Sequence, residues 1–319
     1  MPEQVSEAAQ VKESQGGKRF DQVAAELFPD FSRARLQAWI RSGELRLDGR
    51  QLRPRDRVEP GAHVTLNATL EEAVSWAPEP IALDVVHEDQ DVLVINKPVG
   101  LVVHPAAGNR DGTLVNALLH RYPELADLPR AGIVHRLDKD TSGLMMVARS
   151  LPGHTRLVSQ LQARTVEREY LAICFGAVTG SGTVDAPIGR HSTARTRMAV
   201  VPNGGKPAIT HFRIAERFGH HTLLAIRLET GRTHQIRVHM AHRRHPLVGD
   251  VLYAGRLRLP PDPAPQLRDM LRGFRRQALH ARRLGFEHPA TGEFVAWDAP
   301  LPADMQLLRD TLQQYDAPG

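Results

Sequence analysis

The sequence predicts an α+β protein of two unequal domains. Short runs rich in Val, Ile and Leu, of strand length, alternate with segments whose apolar residues recur at helical spacing. A charged stretch at 67–80, with Glu71, Glu72, Pro78, Glu79 and Pro80, reads as a stiff linker between a small N-terminal unit and a larger C-terminal one. At 319 residues the chain has the length for that division. Its composition, 41% hydrophobic and 24% charged, is that of an ordinary globular protein. No apolar run reaches the roughly 18 residues of a membrane span, so no membrane association is expected. Cys174 is the sole cysteine, which excludes an intramolecular disulfide and fits a reducing cytosol. The N-terminus lacks the apolar core of a signal peptide, and a cytoplasmic protein is expected.

Taken in order, residues 1–17 are polar and carry the Gly16-Gly17 pair, and are expected to form a disordered tail. Residues 18–66 form the small unit. Phe20, Val23, Ala24, Leu27 and Phe28 recur at helical spacing, and Ser32 is a suitable N-cap for a second helix carrying Leu36, Trp39 and Ile40. Asp48-Gly49 inside an alternating stretch is a tight-turn signal, with Val58, Val64 and Leu66 as a closing strand. Residues 33–57 hold eight arginines against Glu44, Asp48 and Asp56, an excess of five that equals the net charge of the whole chain, +5. Arginine in such density suits the planar, bidentate recognition of phosphate.

The large domain, 81–319, opens with the alternating Ile81, Leu83 and Val85 and a buried strand at Val92–Ile95. Thr113 to Tyr122 and His154 to Arg164 have helical spacing, and a last helix carries Met305, Leu307, Leu308 and Leu312. Between 187 and 207, Arg190, Arg195 and Arg197 sit in an exposed strand and loop. Residues 256–283 hold eight arginines against Asp262 and Asp269, a basic insertion suited to gripping RNA. His239, His242 and His245 invite a metal reading, but no carboxylate or cysteine lies nearby and no His-Glu-x-x-His is present. No metal site is expected.

The most informative stretch is 135–144. Its polar positions hold two carboxylates (Asp138, Asp140), two cations (Arg136, Lys139), two hydroxyls (Thr141, Ser142) and the His135 imidazole. Apolar runs, Ile133-Val134 and Leu144 to Val147, brace it on both sides, which makes a rigid platform for reactive groups. His135-Arg136-Leu137-Asp138-Lys139-Asp140-Thr141-Ser142-Gly143 resembles the signature loop of the RluA-type family of RNA pseudouridine synthases. Asn96 to Leu101, Glu167 to Ile173, Glu229 to Met240 and Gln277 to Arg282 resemble its other motifs, at matching spacing. Ser32-Arg33-Ala34-Arg35, with Ile40, Gly43 and the Asp48-Gly49 turn, is similar to an S4 RNA-binding module.

The resemblance implies a catalytic domain built on a mixed, mainly antiparallel sheet with a central cleft, beside a small α/β S4 domain. It implies that Asp138 is catalytic, that Tyr170 stacks on the target base and contacts that carboxylate, and that Arg237 pairs with Asp138. A fixed guanidinium favours the charged form of a carboxylate in a closed pocket. It places His135, Arg136, Thr141, Leu279 and Lys97 near the substrate, and Arg33, Arg35, Arg41, Arg46 and Arg50 on RNA. The implied reaction breaks the N1–C1′ bond of uridine, turns the uracil and rejoins it through C5. Such an isomerisation needs no redox cofactor, and no cofactor is expected. One carboxylate can serve by adding to C1′ or by removing the C2′ proton, and both routes stay open here. The base must leave its stack, so a basic surface and an aromatic wall are needed. The expected partner is large-subunit ribosomal RNA, or its precursor particle, met as a monomer; the motif arrangement is most like members that modify the helix 69 loop of 23S rRNA. The alternatives are the same chemistry on tRNA or another rRNA site, and a non-catalytic RNA-binding ribosome-assembly factor.

Overall fold

The computed structural model describes residues 3–31, 33–70, 76–105, 109–194 and 196–317. They divide into two compact units, Met1–Ser75 and Trp76–Gly319.

The first unit begins with β1 (Glu3–Gln10), followed by α1 (Phe20–Leu27), α2 (Arg33–Ser42), β2 (Leu45–Leu47) and β3 (His63–Leu70). The strands form an antiparallel sheet in the order β1-β3-β2. Phe20, Val23, Ala24, Leu36, Ile40, Leu45, Val64 and Leu66 form its buried core, so the helical and alternating patterns meet on one apolar seam. Two expectations are corrected. Residues 3–10 belong to a strand, not a tail: eight residues pair with β3, from Glu3 opposite Leu70 to Gln10 opposite His63. Val5 and Ala9 pack on the core and Val11 is buried, an alternation too sparse to stand out among polar neighbours. Likewise β3 runs through Leu70, so residues 67–70 are sheet and not linker. Ser32, Glu71 and Glu72 lie outside the described residues.

In the second unit, residues 76–80 are docked and not a free spacer. The Asn116 amide donates to the Ala77 carbonyl at 2.8 Å, and the Glu79 carboxylate accepts the Gly112 N–H at 2.8 Å. The strands are β4 (Val85–Glu88), β5 (Val92–Lys97), β6 (Ser142–Ala148), β7 (Glu167–Phe175), β8 (Gly182–Asp185), β9 (Ile188–Arg190), β10 (Met198–Val200), β11 (Ile209–Arg217), β12 (His221–Leu228), β13 (Leu279–Glu287) and β14 (Phe294–Asp298). The helices are α3 (Leu114–Arg121), α4 (Leu151–Ala163), α5 (Gln235–His242), α6 (Pro265–Gly273) and α7 (Ala303–Tyr315). Among the described residues nine strands form the main sheet in the order β4-β5-β6-β13-β7-β12-β11-β8, with β14 beside β13; β9 and β10 form a separate ribbon. Every pairing in the main sheet is antiparallel except β6 with β13. The sheet is thus mixed and mainly antiparallel, as expected.

Strand periodicity explains the layers. On β5 and β6, Leu93, Ile95, Met145 and Val147 pack with Leu114 and Leu118 of α3, while Val92, Val94, Leu144 and Met146 face Leu157 of α4 and Phe286. Near β7 and β12, Ile173 and Leu223 pack under α6 and α7 through Leu267, Leu271, Met305 and Leu308. Burial on both faces makes the strands read as continuous apolar runs. The parallel junction between β6 and β13 positions the polar loop. Gly143 lies opposite Ala281 with φ +112°, and a Cβ there would sit 2.2 Å from the Ala281 carbonyl oxygen. Only glycine lets β6 approach β13 so closely, directly after the polar loop. No helix among the described residues is long and apolar enough to cross a membrane.

Candidate active site

The polar loop at 135–141 enters β6 and is held by ties from three directions. Lys97, at the end of β5, is 1% exposed, and its Nζ donates to the carbonyls of Pro98 (2.8 Å), Leu101 (3.0 Å) and Lys139 (2.9 Å). Arg276 donates to the Asp140 carbonyl at 3.2 Å while forking onto Asp304 at 2.6 and 2.8 Å. Gln277 donates to the Thr141 hydroxyl at 3.0 Å, and Ser142 meets His280 at 2.9 Å. Buried polar groups must find partners, and these do so by fixing the loop. Lys97 is therefore a correction: expected beside the substrate, it is a buried staple. Burial pushes its ammonium down to about 8, against the opposing charges of Asp140 and Asp138.

His135 also braces the loop. Its Nε2 accepts the Met146 N–H at 3.0 Å. Burial, and then the Arg168 charge, push the imidazole down to about 3, which keeps the ring neutral and able to accept. Its folded value lies below the ordinary 6.5, so on acidification the unfolded chain takes up the proton first. The stability His135 confers is complete above about pH 6.5 and is lost as the pH falls toward 3. We therefore expect the stability gap between the wild type and His135→Gln to narrow between pH 7 and pH 4.5 in denaturant titrations. A gap that stays constant would contradict this role.

Beyond the loop lies a cleft of about 910 Å³, lined among others by Asp138, Tyr170, Arg237, His234, Arg168, Leu279 and Trp76. Arg237 comes from α5, far away in sequence. Its Nη1 donates to Asp138 Oδ2 at 3.0 Å, and its Nε and Nη2 fork onto Asp250 at 2.7 and 2.9 Å. Asp250 is fully buried and also accepts the N–H groups of Leu252 and Tyr253, at 3.0 and 3.1 Å. Burial alone would make the Arg237 guanidinium easier to deprotonate. The two carboxylates, Asp250 foremost, outweigh it and hold the group above its ordinary value. The guanidinium is thus a fixed cation with one edge on a structural carboxylate and one corner on Asp138.

That arrangement distinguishes the two oxygens of Asp138. Oδ2 is taken by Arg237. Oδ1 has no hydrogen bond among the described residues and lies 3.9 Å from His234 Nε2. The His234 ring is aimed by its backbone, which is left-handed at φ +57°, and by Tyr253, whose hydroxyl lies 2.7 Å from Nδ1. Burial pushes His234 down despite Asp138. Tyr170 projects from β7, 6% exposed, and burial pushes its phenol up, so it remains protonated at neutral pH. Leu279, the first residue of β13, is buried at the cleft wall. Arg136 is exposed at the cleft with no ion pair among the described residues, and Thr141 lines it with its hydroxyl held by Gln277.

The structure thus brings Asp138, Tyr170, Arg237, Leu279, Arg136, Thr141 and His135 to one cleft and leaves Lys97 behind its wall. Sequence reasoning missed Asp250, His234, Tyr253, Arg168 and Trp76. Asp250, buried in a turn between Gly249 and an exposed Val251, carries no periodicity that marks it in the sequence. His239, one of the three histidines weighed for metal, is buried with Nδ1 on Thr210 and Nε2 on the Ala186 carbonyl, each at 2.9 Å. In the first unit, Arg33 is bound to the buried Asp21 at 2.8 Å, Arg46 donates to the Gly43 carbonyl at 2.7 Å, and Arg35 stacks over Trp39. Arg41 and Arg50 are exposed. Arg197 stacks over the Tyr253 ring, and Arg195 lies outside the described residues.

Residues 91–242 match the family described as RNA pseudouridylate synthase. The chain is 54% identical to the ribosomal large subunit pseudouridine synthase D of Vibrio parahaemolyticus over 323 residues, 100% of this chain and 99% of that one. It is 55% identical to the protein of the same description from Pseudomonas aeruginosa, covering 98% of each. Among solved structures it is similar to human RNA pseudouridylate synthase domain containing 4, with 25% identity and a TM-score of 0.57 across 74% of this chain and 95% of that one.

Proposed function

The chain belongs to the RNA pseudouridylate synthase family, and on that premise we propose that it isomerises uridine to pseudouridine in large-subunit ribosomal RNA, with the helix 69 loop of 23S rRNA as its site. One observation carries the reading: Arg237, locked by Asp250, holds Oδ2 of Asp138 and leaves Oδ1 free in a cleft walled by Tyr170 and Leu279. An extruded uridine entering there meets a carboxylate oxygen at its ribose and an aromatic face at its base. The N1–C1′ bond breaks with its electron pair on the uracil. The base turns, C5 bonds to C1′, and the C5 proton is lost while N1 gains one. Nothing is consumed, so the protein's task is to bind, position and supply one carboxylate. Whether Oδ1 adds to C1′ or removes the C2′ proton, it is the same free oxygen.

The relatives' description as large-subunit synthases supports the substrate class. The arginines of the first unit support an RNA grip there, since Arg33, Arg35, Arg41, Arg46 and Arg50 are all exposed. A monomer working beside the ribosome in the cytoplasm is part of the same proposal. The test is carbodiimide mapping with primer extension on unmodified large-subunit rRNA and a tRNA pool. Stops in the helix 69 loop are the expected result. Stops confined to tRNA would keep the chemistry and overturn the substrate, and tight RNA binding without stops would favour an assembly role.

A further inference from the structure

Among the described residues three arginines are buried: Arg168, Arg237 and Arg276. Arg237 has Asp138 and Asp250, and Arg276 has Asp304. Arg168 has no carboxylate partner among the described residues. Its Nη2 makes one long bond, 3.3 Å, to the Glu229 carbonyl, and its buried Nε has no hydrogen-bond partner. A buried cation left so poorly satisfied is costly and calls for an explanation. The explanation lies in where it points. Arg168 stands two residues before Tyr170 on β7, so both side chains leave the same face of the strand, and both line the cleft that holds Asp138. The turn opposite is shaped to admit it: a Cβ on Gly231 would lie 2.9 Å from Arg168 Nη1.

We propose that Arg168 is the cleft's anion receptor, binding an anionic oxygen of the target nucleotide beside Tyr170. The proposal rests on the functional reading above and adds a binding residue to it. Two oxygens of a bound uridine share the required chemistry. One belongs to a phosphodiester flanking the nucleoside. The other is a uracil carbonyl oxygen, which gathers negative charge when the N1–C1′ bond breaks with its electron pair on the base. Either would give the guanidinium the charge-assisted bonds that its own chain withholds.

The experiment uses the full-length protein and a stem-loop RNA carrying the target uridine, made with normal linkages or with an uncharged methylphosphonate on either side of that uridine. Arg168→Gln, Arg168→Lys and Gly231→Ala are compared with the wild type by kcat, KM and equilibrium binding. Arg168→Gln is expected to lose about 10- to 100-fold in kcat/KM, the range of one charged hydrogen bond. Arg168→Lys should recover part of the loss. Gly231→Ala, which crowds only the guanidinium, should lose part of it. A phosphate ligand predicts that the loss falls mainly on KM and binding, and that a neutral linkage lowers the wild type to the level of Arg168→Gln without lowering that variant further. A uracil ligand predicts a loss in kcat alone and no effect of the neutral linkage.

Values within twofold of the wild type for Arg168→Gln would overturn the proposal. So would a loss of folded protein with unchanged activity per folded molecule, which would make Arg168 a packing residue. Failure of the wild type to convert the RNA would strike the functional reading instead. Equal RNA affinity of the wild type and Arg168→Gln would then reject the receptor as well.

Discussion

Asp138→Asn is expected to abolish turnover, with a fall of at least about 1,000-fold, while leaving RNA affinity within a few-fold. The amide keeps the shape of the carboxylate and can still accept from Arg237, so the loop and cleft survive. What it loses is the charged oxygen that faces the ribose. Oδ1 of Asp138 has no hydrogen bond among the described residues, and His234 Nε2 lies 3.9 Å from it. The other carboxylates near the cleft among the described residues are committed elsewhere: Asp250 to Arg237 through both oxygens and to two backbone N–H groups, and Glu229 to His211 and Arg164. Single-turnover kinetics beside a filter-binding isotherm on the same RNA separate the two effects. A variant that retains a tenth of the wild-type rate would show that the carboxylate is not the essential group.

The second large effect falls on a residue that never touches substrate. Asp250→Asn should lower kcat by about 100-fold and destabilise the protein by roughly 3 kcal/mol, the lower end of the cost of breaking one partner from a buried ion pair. The lower end applies because Arg237 keeps Asp138 as a second carboxylate. Two consequences combine. Arg237 loses its bidentate anchor, so the guanidinium that fixes Oδ2 of Asp138 can swing, and small misplacements of a reacting group are expensive. The turn carrying Tyr253 loses charged acceptors, and with it the hydroxyl beside His234 and the ring beneath Arg237, 5.0 Å from its guanidinium carbon. The decisive readout is kcat per folded molecule, with folding followed by denaturant titration. A protein that loses stability but keeps full kcat would reduce Asp250 to scaffolding.

Strands buried on both faces, such as β5 and β6, announce themselves in the sequence as continuous apolar runs, and α3, α4 and α7 as periodic ones. The polar loop at 135–141 stood out because a dense cluster of polar groups sits between two such runs. What the sequence could not show is which of those groups face the cleft. Lys97 and Thr141 belong to one recognisable set of motif residues, yet one is a staple behind the wall and the other lines the cleft with its hydroxyl held by Gln277. Direction depends on the tight approach of β6 to β13 at Gly143, a contact between residues 138 positions apart. Asp250 escaped notice for a related reason. It sits in a turn without periodicity, and its meaning appears only when α5 brings Arg237 beside it. The polar strand β1 was misread because its register comes from pairing with β3 and hardly from its own composition. The burial of Arg168 is not legible in its Glu-Arg-Glu run, since alternation hides which side of the strand is buried.

The most direct test of the central claim is release of tritium from large-subunit rRNA labelled at C5 of uridine, incubated with the purified protein in a chelator without added nucleotide. The wild type is expected to release label in proportion to pseudouridine formed, and Asp138→Asn, bound to the same RNA, to release none. Equal release by the two proteins, or none by a wild type that binds the RNA tightly, would contradict an isomerisation driven by the one free carboxylate oxygen in this cleft.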